Sequence, residues 1–298
     1  MSQRPPLLLI VLDGWGERAE RESNAIAASA PCFHELQARY PHTLLTACGR
    51  EVGLPPGIMG NSEVGHMNLG AGRVVYQEVS RIDREIEAGR FFENSALCAL
   101  IERVRRSKTT LHLLGLVSDG GVHASDAHLR SLLLLAAQRG LAADRLAVHA
   151  ITDGRDTPPR SGAGFLAKLE ADIAAAGVGR IASVVGRYWA MDRDKRWERT
   201  ARAFDLLVSG AGERAAHGVA ALRRAYEKNV GDEFVEPTVI GDPRAGRIGG
   251  GDGLICFNFR SDRMRQICQA LAYPDFREFE RRQVVQAALA ELLGCPLG

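Results

Sequence analysis

Apolar and polar positions along the chain fall into two alternating patterns. Short apolar runs occur at Leu7–Leu12, Leu111–Val117, Leu146–Ile151, Ile181–Val185 and Leu254–Phe257. Each is rich in Val, Ile and Leu, bounded by polar residues or glycine, and too short for a helix, so each predicts a buried strand. Between them lie amphipathic stretches at Asp126–Gln138, Ala163–Ala176, Lys195–Val208 and Ala215–Lys228, which predict helices. Strands separated by helices build βαβ units and a mostly parallel sheet, so the expected class is α/β. A helical pattern over Tyr76–Ala88 follows a loop-rich segment and sets an expected domain boundary near Gln77. The stretch Arg281–Gly298 reads as a further amphipathic helix running into Gly294-Cys295-Pro296. Gly249-Gly250-Gly251 precedes a strand rather than a helix and reads as a turn, not a nucleotide loop.

Ligands of open α/β sheets gather at the carboxyl ends of the strands. Five polar clusters sit just past predicted strands: Asp13-Gly14-Trp15-Gly16, Ser118–His123, Thr152–Asp156, Gly186-Arg187-Tyr188 and Asn258–Arg263. Arg155, Arg187, Arg193, Arg260 and Arg263 lie in or beside these loops, with Asp156 and His123 among them. Either they are solvated surface cations, or they converge on a small acidic ligand that arginine forks grip bidentately. In the second case Asp156 could take a proton from a ligand hydroxyl. The segment Gly60–His66 has nearly the glycine spacing of a P-loop, but His66 and Met67 stand where Lys and Ser/Thr are needed. Ser62 is then a helix cap assisted by Asn61, or a nucleophile on a tight turn that a base or metal must activate. Asp13 is a turn residue or a metal ligand, and with Ser62 it supplies two ligands where a metal takes about four to six. The remaining histidines, His34, His42, His112, His128, His149 and His217, read as ordinary surface or core residues.

Composition narrows the partners. The 298 residues carry a net charge of +2, too little to favour nucleic acid or an anionic membrane. All cations but Lys108, Lys168, Lys195 and Lys228 are arginine, the better fork for phosphate and carboxylate oxygens. The six cysteines show neither CxxC nor zinc spacing, which predicts free thiols in a reducing, cytoplasmic setting. The opening apolar run is too short for a secretory signal, and no stretch reaches membrane-spanning length.

As a set, these segments resemble the cofactor-independent phosphoglycerate mutases of the alkaline phosphatase superfamily. The likeness runs from Leu12–Gly16 through Met59–His66, Asp119–His123, Thr152–Thr157, Gly186–Arg193 and Phe257–Arg263. Ile58 stands where the family usually carries Gln. The resemblance implies an incomplete alkaline-phosphatase-like sheet and metal-binding domain in residues 1–77. It also implies an inserted α/β phosphotransferase domain in residues 78–298, with a tail that diverges from about residue 281. It implies interconversion of 3-phosphoglycerate and 2-phosphoglycerate in glycolysis with two Mn2+, Ser62 taking the phosphoryl group and Asp13 and Ser62 binding one metal. His123 would lie beside the phosphoryl group, Arg155 and Asp156 would hold the glycerate hydroxyls, and Arg187, Arg193, Arg260 and Arg263 would clamp phosphate and carboxylate. The intact enzyme would be a monomer with no nucleic-acid or membrane partner. The family's other metal ligands lie beyond the matching segments, and no histidine follows His217. The expectation is therefore a partial metal site and little turnover by this polypeptide alone, which reads as truncated. A non-catalytic phosphoglycerate-binding fragment and a metal-dependent phosphohydrolase are the alternatives.

Overall fold

The computed structural model describes residues 6–242, 244, 246–281 and 288–291. The chain divides into two compact units, Met1–Arg81 and Ile82–Gly298.

In the first unit the described elements are helices α1 (Ala25–Ser29), α2 (Pro31–Arg39) and α3 (Ser62–Ala71), and the first residues of α4 (Glu78–Glu87). Local chemistry sets their ends. Asn24 and Asn61 accept the Ala27 and Val64 amides as N-caps, Pro31 opens α2, and Gly72 closes α3 in the left-handed region. Asn68 ties this region together by donating to the Val52 carbonyl and accepting from the Val75 amide. The strand expected over Leu7–Leu12 does not form. Leu7 and Leu8 are 96% and 80% exposed, and no strand occurs among the described residues of this unit. An apolar run acquires strand structure only by pairing its backbone with a neighbour, and none is present there.

The second unit holds α5 (Ser95–Ser107), β1 (Leu111–Leu116), α6 (Asp126–Gln138), β2 (Leu146–Thr152), α7 (Gly162–Ala176) and β3 (Arg180–Gly186). There follow the single turn α8 (Arg187–Ala190), then α9 (Trp197–Ser209), β4 (Glu213–Ala215), α10 (Gly218–Glu227) and β5 (Thr238–Ile240). β6 (Gly253–Cys256), α11 (Arg265–Ala272) and β7 (Ala288–Glu291) complete it. The strands form one seven-stranded sheet in the order β4-β5-β3-β2-β1-β6-β7. Every neighbouring pair is parallel except β3–β5, so the class is α/β with a mixed sheet.

The four predicted strands of this unit form because β1, β2 and β6 are buried along their whole length and β3 along all but its first residue. Uniformly apolar runs are what a sheet covered on both faces requires. β4 and β5 went unpredicted, being three residues each. The helix expected across the chain's end is corrected at Ala288–Glu291, where the backbone pairs in parallel with β6 from Gly253↔Ala288 onward. The outer edge of β6 offers unpaired amides and carbonyls, and a ladder satisfies both partners. The rest of that expected helix lies outside the described residues.

Polar groups inside the sheet are paired. Asp252 accepts from the Thr110 and Gly249 amides and meets His112 Nε2 at 3.2 Å. His112 Nδ1 lies 2.9 Å from His149 Nε2, and His149 Nδ1 lies 2.7 Å from Ser183 Oγ. Every group is satisfied if each donates toward Asp252: Ser183 O–H to His149, His149 to His112, and His112 to the carboxylate. The core histidines thus cross-link β1, β2 and β3.

Candidate functional site

Four parallel neighbours, β3, β2, β1 and β6, end on the same edge of the sheet. The loops beyond them carry Arg187, Asp153–Asp156, Ser118–His123 and Asn258–Arg263. That topology assembles a charged cluster from segments far apart in sequence.

Asp153 is at its centre and is 1% exposed. Its Oδ1 accepts from the Arg155 and Asp156 amides at 3.2 and 3.0 Å, which folds the loop into a tight turn over Gly154. Its Oδ2 accepts from Ser118 Oγ at 2.7 Å, and Oδ1 also receives Arg187 Nη1 at 2.6 Å. Burial alone would raise the Asp153 pKa. The Asp156 amide, the Ser118 hydroxyl and Arg187 outweigh it and hold the carboxyl below its ordinary range.

Arg187 is buried and spends both terminal nitrogens within the protein. Nη1 bridges Asp153 and Asp156, and Nη2 meets His123 Nε2 at 3.0 Å. Its place is fixed from outside as well. Gly186 just before it packs against the Glu233 carbonyl and donates to the Val235 carbonyl, leaving no room for a Cβ. The Arg199 guanidinium stacks 3.8 Å from the Tyr188 ring, and that of Arg202 4.2 Å from the Trp189 ring, pinning α8 to α9.

His123 is 3% exposed. Burial, then Arg187 and Arg260, push its pKa down to about 4, against a weaker upward pull from Asp156 and Asp262. The imidazole is neutral at pH 7. Its Nδ1 is buried with no partner among the described residues.

The other arginines form the cluster's outer part. Arg155, Arg193 and Arg260 are exposed, whereas Arg263 is half-buried and donates to the Met191 carbonyl. Burial and the neighbouring charges of Arg193, Arg155 and Arg187 lower the Arg263 pKa, which places four guanidiniums in one field. Asp262 answers part of that charge, accepting from Arg193 at 3.0 Å and lying 3.5 Å from Arg260. Burial would raise the Asp262 carboxyl, but Arg193 and Arg260 hold it low. Asn258 Oδ1 accepts from the Leu116 amide, fastening the start of this loop to β1. Buried Asp192 fastens the Arg193 segment by accepting from the Asp194 and Arg196 amides and from Gln266.

Cations thus outnumber carboxylates around a neutral, unspent imidazole donor. Such a surface can hold a small, multiply charged anion and offers a carboxylate, Asp156, for a ligand hydroxyl. All seven predicted ligand-binding residues fall in this cluster: His123, Arg155, Asp156, Arg187, Arg193, Arg260 and Arg263. Sequence reasoning passed over Asp153, Ser118 and Asp262, each inside a loop already singled out, and Asp192, which follows Gly186-Arg187-Tyr188 by four residues. An acid in a strand-end segment that also carries arginines was the available signal for the three aspartates.

Ser62 and Asp13 belong to the first unit. Ser62 is the first residue of α3, directly after the Asn61 cap, and is exposed. Its Oγ lies 3.2 Å from His66 Nδ1, which is also 2.8 Å from the Ser62 carbonyl. A carbonyl only accepts, so Nδ1 carries the proton and His66 is no base for Ser62 in this arrangement. Asp13 is exposed in the Leu12–Trp15 turn, where Gly14 takes φ 74°. Among the described residues no group of three or more His, Cys, Asp or Glu side chains could hold a metal. Asp13 and Ser62 therefore do not by themselves fit a two-manganese centre. Nor is any described helix long and apolar enough to cross a membrane.

A family model described as the BPG-independent PGAM N-terminus (iPGM_N) matches residues 82–293. A 2,3-bisphosphoglycerate-independent phosphoglycerate mutase of Clostridium perfringens is 50% identical over 288 residues, covering 95% of this chain and 56% of that relative. One from Thiobacillus denitrificans is 52% identical over 287 residues, again covering 95% and 56%. A crystal structure of Leishmania mexicana phosphoglycerate mutase at low cobalt concentration superposes with a TM-score of 0.74 at 34% identity, covering 95% of this chain and 54% of that one. The chain spans about half the length of the relatives it matches.

Proposed function

Because the chain belongs to the BPG-independent phosphoglycerate mutase family, we propose that its second unit is a phosphotransferase domain that binds 3-phosphoglycerate and 2-phosphoglycerate. In this reading the domain is inserted into an alkaline-phosphatase-like domain begun by the first unit. The protein then serves glycolysis as a cytoplasmic isomerase with a phosphoserine intermediate at Ser62. The carrying observation is the cluster at the ends of β3, β2, β1 and β6, where Arg187 and Arg260 act on His123 beside Asp156, and Arg155 and Arg193 act on Arg263.

The chemistry follows from what each group can do. A phosphoglycerate carries a phosphate, a carboxylate and a hydroxyl, which together call for several cationic forks and one proton acceptor. Arg155, Arg193, Arg260 and Arg263 supply the forks and offset charge on a phosphoryl group. Asp156 takes the hydroxyl proton, and His123, being neutral, donates to one anionic oxygen without adding charge. The P–O bond to one glycerate oxygen breaks as the bond to Ser62 Oγ forms, the serine proton going to the released oxygen. On return the phosphoryl group moves to the other glycerate oxygen, whose proton Asp156 takes, and Ser62 regains a proton.

Titration calorimetry of the 298-residue chain with 3-phosphoglycerate tests this reading. Saturable binding is expected, and Arg260→Ala should weaken it about tenfold or more, the loss of one charge-assisted contact. No saturable heat with 3-phosphoglycerate, or an unchanged affinity in Arg260→Ala, would sink it.

A further inference from the structure

Arg187 can only donate hydrogen bonds, and it holds its charge at every pH at which the protein is folded. Its Nη2 points at His123 Nε2 from 3.0 Å. An imidazole nitrogen that receives a hydrogen bond has no proton of its own, and in a neutral ring the proton then sits on the other nitrogen. We propose that Arg187 is a positioning residue that fixes His123 as the neutral Nδ1–H tautomer, leaving that N–H as the donor presented to an anionic ligand.

The surroundings make the arrangement one-sided. Arg187 cannot turn away, because its Nη1 is held by Asp153 at 2.6 Å and by Asp156 at 2.5 Å. Asp153 is itself anchored by Ser118 and two backbone amides. Among the described residues, the carboxylate placed to pull a proton onto Nε2 is that of Asp156. Its oxygen lies 3.7 Å away, beyond hydrogen-bond reach, and is already occupied by Arg187. The charged groups acting on the ring are Arg187, Arg260, Asp156 and Asp262, and burial with the two arginines keeps it neutral. Nδ1 is buried and has no partner among the described residues, so the ring has one unspent donor. Arg187 therefore acts on the site through His123, with one Nη2–H and the Nε–H left over from these contacts. Only the ligand clause rests on the proposed phosphoglycerate reading; the tautomer is a property of the ligand-free protein.

Nitrogen-15 NMR of the histidine-labelled 298-residue chain, without ligand, reads the tautomer directly. The His123 ring should show a protonated Nδ1 and a bare Nε2 from pH 6 to 8. Arg187→Lys replaces one obligate donor with another and should keep that pattern. Arg187→Gln, whose amide can donate or accept, should bring Nε2–H into the mixture and raise the titration point by about one pH unit through loss of a neighbouring charge. A protonated Nε2 or an imidazolium in the unmodified protein at pH 7 overturns the proposal, and needs no variant to fold. An Arg187→Gln protein with tautomer and titration unchanged overturns it too. Adding 3-phosphoglycerate should then shift the Nδ1–H resonance, and a saturated complex that leaves it unmoved removes the ligand clause. Calorimetric failure to bind 3-phosphoglycerate strikes the phosphoglycerate reading alone.

Discussion

Asp153 shows how one side chain can hold a site without touching a ligand. Its carboxylate and the Arg187 guanidinium are both almost fully shielded from water, their side chains 1% and 4% exposed. Removing one partner of such a pair costs far more than the pair contributes, because the other charge is left buried. Asp153→Ala also takes the acceptor from the Arg155 and Asp156 amides. It is expected to cost about 3–5 kcal/mol of stability. Ser118→Ala, which removes a single hydroxyl donor, should cost about 1 kcal/mol. Urea denaturation of the three proteins separates the cases, and an Asp153→Ala protein as stable as Ser118→Ala would contradict the buried-pair argument. The seven residues picked from sequence share this cluster because each lies in or just beyond a segment that closes a recognisable strand, while their ligand roles belong to the proposed reading. Asp153 stands in the same loop as Arg155 and Asp156, yet its role is made by contacts with Ser118 and Arg187, residues about 35 positions away. Linear order does not carry that information.

At the scale of elements, the site depends on how closely β3 meets the segment Asp232–Val235. A Cβ at Gly186 would lie 2.3 Å from the Glu233 carbonyl oxygen and 2.7 Å from the Val235 nitrogen. Both are backbone atoms, which cannot swing aside as a side chain can. Gly186→Ala should therefore part β3 from this segment, shift Arg187, and lower stability by about 1–3 kcal/mol as an overpacked site does. The His123 ring resonances should move in the same variant. A protein with unchanged midpoint and resonances would show that the contact yields. Packing of this kind also explains which elements the sequence revealed. β1, β2, β3 and β6 are buried on both faces and are written as largely apolar runs, interrupted by His112, His149 and Ser183, so hydrophobicity finds them. β4 and β5 are three residues long and exist through pairing with one another and with β3. β7 likewise exists through the edge of β6. Leu7–Leu12 carries the same apolar signature as β1 but has no strand beside it among the described residues of its unit, and its side chains remain exposed.

Across the molecule, the buried histidines and carboxylates give stability a pH dependence that can be worked out in sign. His123 titrates near 4 instead of 6.5, lowered by burial and by Arg187 and Arg260. His149 is also held well below its ordinary value by burial and by His112. In the unfolded chain both bind a proton as pH falls through about 6.5, while the folded protein keeps them neutral. The unfolded state then holds more protons, so stability rises with pH and falls on acidification. For His123 alone the loss reaches about 3 kcal/mol by pH 4, and His149 adds in the same direction. Asp153, Asp252 and Asp262 have lowered folded values. Their contribution is fully present above the unfolded carboxylate range and is lost only as pH drops through their folded values. Asp232, whose carboxyl burial raises, works the opposite way. Two windows follow: a decline from pH 6.5 to 4 governed by histidines and partly offset by Asp232, then a further one below 4 governed by the lowered carboxylates. Urea midpoints followed by circular dichroism at pH 7.5, 6.0, 5.0 and 4.5 should already fall between the first two values and continue downward. His123→Gln should flatten the slope between pH 6 and 4.5 by about one proton while leaving the carboxylate limb in place. Midpoints constant from pH 7.5 to 5.0 would mean that the buried imidazoles take up protons in the folded state, against the neutral relay from Ser183 to Asp252 and the neutral His123 alike.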